Sequence, residues 1–325
     1  MSQPPPQQQQ QQQQQPPGPP YASRNAGIGG LPSVIPDVPV SAVFMLVYLG
    51  FAVTNMTILQ LNLRRKHKFI ISGALFGFSM SRIVTFVLRI VWATHQRNVR
   101  VAIAANVFVN AGILILYVVN LIFAQRILRA KQPSVGWHPS IGVVLRVFYV
   151  GIGAALVLVI YSAVQGAYTL DPDRLRAVRD IQLAAITYLL VFTTLPLWLL
   201  LAAHVLLPKS ADEELFGHGS MRTKVLINAV ATCVCILVSG FKAGMTWEPP
   251  RPASDPAWYH SRAAFYVFGF VLEIFVLALL TFTRVDKRFH VPNGSSGPGH
   301  YSGSVSDQTT LEKGEPSDQS GHEGS

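Results

Sequence analysis

Residues 64–93 read RRKHKFIISGALFGFSMSRIVTFVLRIVWA. Five basic residues come first, followed by 25 residues that carry only two charges, Arg82 and Arg89. A helix needs about 20 apolar residues to cross a hydrocarbon core roughly 30 Å thick. The run is long enough, and it lacks the period-two alternation of a barrel strand. It therefore predicts a transmembrane helix that starts behind a basic loop.

Working outward, apolar runs of similar length place seven spans at about 41–61, 69–93, 101–124, 141–165, 181–207, 225–246 and 262–283. The expected fold is an all-α membrane protein, a seven-helix bundle over 39–289. Two disordered tails are expected to flank it, 1–38 and 290–325. Residues 1–38 contain a glutamine run, Gln7 to Gln15, among prolines, and such a segment has nothing to bury. No basic and apolar leader precedes the first run, so that run is expected to act as its own insertion signal. Pro196 predicts a kink in the fifth span. Trp92, Trp137, Trp247, Trp258 and Tyr259 fall near span ends, where amphipathic rings settle at the interface.

The charged fraction is 13% and the net charge +10. The basic residues are split into short clusters between apolar runs, which fits membrane loops and excludes a nucleic-acid surface. They also orient the bundle. Connections one, three and five and the segment after the last span hold 15 Lys and Arg, the other side nine. The positive-inside rule then puts the N-terminus outside and the C-terminus in the cytoplasm. The plasma membrane is the expected location. Neither sequon, Asn55-Met-Thr57 nor Asn293-Gly-Ser295, is then exposed to glycosylation.

Ionisable residues inside a bilayer are candidates for function by default. Arg82, Arg89 and Ser79 lie on one face of the second span, and Glu273 lies near the middle of the seventh. At 1.5 Å per residue, Arg82 is roughly 20 Å from the cytoplasmic end and Glu273 roughly 17 Å from the outer end. The heights match within an arginine's reach, so the two are expected to pair in the interior. The pair would either fix helix packing or form the polar floor of a pocket. Arg89 and Lys242, near the outer ends, are expected to snorkel. Asn106, Asn110, Tyr117 and Asn120 share one side of the third span, and Asn55 and Asn228 add further amides, all suited to interhelical hydrogen bonds. Trp258, Tyr259 and His260, in a proline-rich connection, could anchor at the interface or cover the outer face.

Catalysis is not expected. The nine histidines form no HxxxH or HExxH pair, and no GxSxG elbow or P-loop occurs. No metal and no cofactor are expected; the seventh span lacks a lysine for a retinal Schiff base. Cys233 and Cys235 read as apolar filler. The expected partners are the lipid bilayer, a small-molecule or lipid ligand, and a cytoplasmic signalling partner at the basic loops and tail.

Five stretches carry a resemblance: HKFIISGALFGFSMSRI (67–83), RNVRVAIAANVFVNAG (97–112), LIFAQRILRA (121–130), DPAWYHSRAAFYVFGFVLEI (255–274) and RVDKRFHVPNGSSGPG (284–299). Over about residues 30–302 the chain resembles a fungal family of seven-span proteins of unknown function, sometimes labelled family-C-like receptors. The resemblance implies a seven-span fungal protein and supplies no ligand or functional residue. A receptor-like sensor is one expectation, and a transporter or lipid translocator another. A structural protein is the third. The third span ends without an acid–arginine motif, and the seventh lacks NPxxY.

Overall fold

A backbone without water must satisfy its own hydrogen bonds, and the apolar runs do so as helices. The computed structural model describes residues 18–23, 25–65, 67–206 and 213–301. Seven helices are long and apolar enough to cross a membrane: Val34–Arg64, Ile70–Thr94, Val99–Lys131, Pro139–Tyr168, Pro172–Val205, Met221–Trp247 and Arg262–Phe282. This is the architecture of an integral multi-pass membrane protein.

The helices run past the apolar stretches where capping chemistry allows. The fifth begins at Pro172, nine residues before the expected 181. Asp171 caps it by accepting from the Asp173 amide at 3.1 Å, and proline occupies the first helical position. Asn98, Ser220 and Ser261 cap the third, sixth and seventh spans in the same way. The fifth helix continues through Pro196 to Leu201, then widens into a π turn at Ala202–Leu206.

The third span is the most enclosed. Of its most apolar 18-residue stretch 56% is buried, against 17% in the first and fourth spans. The fourth instead displays a stripe of exposed valines, Val143, Val147, Val150 and Val157, at helical spacing, with Val150 73% exposed. Such a stripe suits lipid and not water.

The third span is also broken. One helix ends at Ala111, another starts at Leu114, and Gly112–Ile113 form the joint. The two halves have different neighbours. The first half packs between the second and fourth spans, while the second half packs on the fifth and sixth. Lys224, in the first turn of the sixth span, is buried with its Nζ on the Phe216 carbonyl.

Two ends of the bundle can be distinguished. The N-terminal face holds the connections around residues 95–98, 169–171 and 248–261. Ala26 N bonds Arg251 O at 2.8 Å, Gly29 N bonds His260 O at 3.0 Å, and Asn25 bridges Pro252. Gln96 donates to Pro32 O at 2.7 Å. Residues 25–33 thus form a strap over this face, and the first helix starts at Val34. On the C-terminal face, Glu214 accepts from Gly299 N at 2.7 Å and from Tyr301 N at 2.8 Å, which seats 290–301 against the bundle. Both segments fall within the stretches expected as tails. Residues 1–17 and 302–325 lie outside the described residues.

Candidate functional site

Arg82 is fully buried in the middle of the second span. Its Nη2 donates to Glu273 Oε1 at 2.7 Å, and its Nε lies 2.6 Å from Oε2 as an ion-pair contact off the hydrogen-bond line. Two more acceptors come from the third span. Arg82 Nη1 donates to Phe108 O at 3.0 Å and to Val109 O at 3.1 Å. These carbonyls stand just before the break at Gly112–Ile113, where the regular ladder is interrupted. A β-carbon on Gly112 would lie 2.7 Å from Ser81 Oγ and 2.9 Å from Arg82 Cζ. Glycine therefore permits the close passage of the guanidinium.

Lys242 joins from the sixth span, its Nζ 3.3 Å from the same Val109 carbonyl. It does not snorkel; it is buried. On the seventh span the residues just before Glu273, Val267–Val271, form a π turn. Tyr48 Oη donates to Phe270 O within that turn at 3.3 Å. The Phe78 and Phe270 rings flank the Arg82 guanidinium at 5.4 and 5.5 Å. Four spans thus converge on one ion pair, with two of them irregular at the contact. Such irregularities in membrane helices are tolerated where they line protein interior, and π turns concentrate at functional positions.

A second cluster lies two turns away. Arg89 Nη2 donates to Asp37 Oδ1 at 2.9 Å and to Gly29 O at 3.1 Å. Tyr266 Oη donates to the same oxygen at 2.8 Å. Arg262 Nε stands 3.2 Å from Oδ2, and the Ser33 amide donates to Oδ2 at 2.9 Å. Phe265 lies beneath Arg89 at 4.1 Å. Arg89 therefore does not snorkel; Asp37 reaches it first. Asp37 went unnoticed in the sequence because it sits in VIPDVPV, a stretch read as the end of a tail. The cue available was an acid one turn before an apolar run that faces Arg89 at similar height.

The other residues divide. Ser79 is buried but bonds back to Leu75 O at 2.9 Å in its own helix. Asn106 and Asn110 are exposed; Asn110 Nδ2 bonds Asn106 O at 3.0 Å. These two amides lie on the exposed side of the third span, away from the charges. Tyr117 and Asn120, beyond the break, are buried, and Asn120 reaches Cys235 Sγ at 3.3 Å. Asn55 ties the first span to the seventh through Thr281 at 3.1 Å. Trp258 is 71% exposed, and its ring lies 6.3 Å from Phe241. The Tyr259 ring lies tilted against His260, centroids 4.4 Å apart. His260 accepts from Ala257 N at 3.1 Å while its carbonyl holds Gly29. Partial burial, with Arg251 nearby, lowers the His260 pKa. Among the described residues no group of three His, Cys, Asp or Glu side chains could hold a metal.

A family model described as a protein of unknown function (DUF3112) matches residues 217–290. The matched stretch contains the sixth and seventh spans, hence Lys242, Trp258, Glu273 and the π turn, but not Arg82 or Asp37. No curated protein and no solved structure matches the chain.

Proposed function

We propose that this protein is a receptor-like sensor of the plasma membrane, related to the fungal seven-span family. In this reading its N-terminus is outside and its C-terminus in the cytoplasm. The observation that carries the reading is the Arg82–Glu273 pair, which joins four spans at two helix discontinuities. A buried ion pair with fixed acceptors has few intermediate arrangements, so it suits an element with two discrete states. A ligand that binds one state better shifts the population. The ligand would be a small molecule or lipid arriving at the N-terminal face, beside the strap and His260. The 15-to-nine bias of basic residues supports the orientation and supplies a positive cytoplasmic surface for a signalling partner. No catalytic role is proposed for any residue.

The test compares proximity labelling from a fusion at the C-terminus in the unaltered protein, Glu273→Gln and Lys242→Gln at equal surface level. A sensor gives a labelled set that changes when the lock is weakened. Identical sets in all three argue against it.

A specific observation favours a second reading, transport. The helix of the third span is interrupted at Gly112–Ile113, and the Phe108 and Val109 carbonyls before the interruption accept from a buried cation, as carbonyls of interrupted helices do for ions in transporters. Solute or lipid flux in proteoliposomes, abolished by Glu273→Gln, would select it. Neither flux nor altered labelling would leave a structural membrane protein.

A further inference from the structure

On the C-terminal face a cleft of about 300 Å³ opens between the second half of the third span, the connection after the first span, and residues 291–301. Sites for small molecules run from roughly 300 to 1,000 Å³, so it is the size of a compact ligand. Three cations line it: Lys68, Arg126 and Arg129. Arg126 and Arg129 sit three residues apart on one helix face. None of the three makes an ion pair with a carboxylate among the described residues. Glu214, beside this segment, is engaged by the amides of Gly299 and Tyr301.

The two arginines are held in place by groups other than acids. Arg126 donates to the Phe289 carbonyl and lies over the Phe69 ring at 5.6 Å. Arg129 lies over Trp137 at 4.3 Å and donates to Gly136 O at 3.3 Å. Each guanidinium is therefore oriented while keeping donors to spare, since it carries five. Orientation without neutralisation is the arrangement of an anion site. Gln125, Asn293 and Ser295 add uncharged polar groups to the wall, and Ile122 an apolar one.

We infer that this cleft binds a terminal phosphate group, the dianion that a phosphate monoester and inorganic phosphate share. The chemistry is shared by an inositol phospholipid headgroup at the membrane surface and by free phosphate, and the polar wall beside apolar Ile122 accommodates either. The inference does not rest on the sensor reading or on the orientation, because nanodiscs expose both faces.

The test uses the full chain in nanodiscs. Phosphatidylcholine discs are compared with discs that also contain phosphatidylinositol 4-phosphate, and inorganic phosphate is titrated into the plain discs. Co-purified lipid is read by mass spectrometry and phosphate binding by calorimetry. Retention of the phosphorylated lipid alone assigns a headgroup site, and binding of inorganic phosphate assigns a free-anion site. Lys68→Ala, an exposed position, should weaken whichever is bound by about fivefold, the effect of one surface cation. Arg129→Gln should weaken it further, and its thermal melting checks that the fold persists. No phosphate or phospholipid binding, or binding unchanged in Lys68→Ala and in a folded Arg129→Gln, overturns the inference.

Discussion

A β-carbon added to Gly112 would stand 2.9 Å from Cζ of Arg82, so the joint in the third span and the buried guanidinium occupy one shared space. Gly112→Ala should overpack that space and cost about 1–3 kcal/mol. Thermal melting in detergent measures it. Gly153→Ala, in the fourth span with open space around it, is the control and should melt like the unaltered protein. Equal melting of the two variants would remove Gly112 from the account.

Glu273→Gln leaves Arg82 without its counter-charge. Breaking a buried pair from one side costs about 3–5 kcal/mol, so surface expression should fall sharply. The exchange Arg82→Glu with Glu273→Arg restores the pair but not its surroundings. A carboxylate at position 82 would face the carbonyls of Phe108 and Val109, which now accept from Arg82. The exchange should therefore recover only part of the lost expression. Full recovery would show that those carbonyls contribute little.

Asp37→Asn removes the charge shared by Arg89 and Arg262. The strap at residues 25–33 is tied down beside it through Gly29, whose φ of +74° and closeness to Phe265 leave no room for a side chain. Hydrogen exchange should quicken at the Ala26 and Gly29 amides in the variant. Unchanged exchange there would mean that the strap is held without Asp37.

His290 stacks on His67 at 4.8 Å on the C-terminal face. Burial, then the nearby His67, Arg126 and His218, lowers the His290 pKa from the usual 6.5. The unfolded chain then binds the proton more readily than the folded one. The neutral ring's contribution is complete above pH 6.5 and declines as pH falls below it toward the folded-state pKa. Melting temperature should drop in that interval, and His290→Gln should flatten the slope. A slope that survives the substitution would place the titration elsewhere.

Glycosylation reads the topology. Asn55 is buried against Thr281, and Asn293 lies in the cleft wall beside Lys68 and Arg126. With the N-terminus outside, neither should carry a glycan, and endoglycosidase treatment should leave gel mobility unchanged. A glycan at Asn293 reverses the proposed orientation.

The seven spans were legible because apolar length is a property of composition, which sequence displays directly. The meeting of Arg82 and Glu273 was legible from height alone, since helical rise converts residue number to depth. The joint at Gly112 was not, because glycine is common inside membrane helices and does not announce a break. The outward face of Asn106 and Asn110 was hidden too, because their spacing shows that they share a side but not which side. Asp37 and residues 290–301 were hidden by their surroundings. Prolines, glycines and serines read as tail, whereas Arg89, by donating to Asp37, and Glu214, by accepting from Gly299 and Tyr301, fix them.

The π turn at Val267–Val271 lies between Tyr266, which serves the Asp37 cluster, and Glu273, which serves Arg82. A wider turn advances the chain by about 4.4 residues per revolution instead of 3.6, shifting the angular phase of everything after it. The seventh span is thus a key with two bits cut at different angles. Deleting one residue of the turn would let Tyr266 meet Asp37 on the first span or Glu273 meet Arg82 on the second, but not both at once.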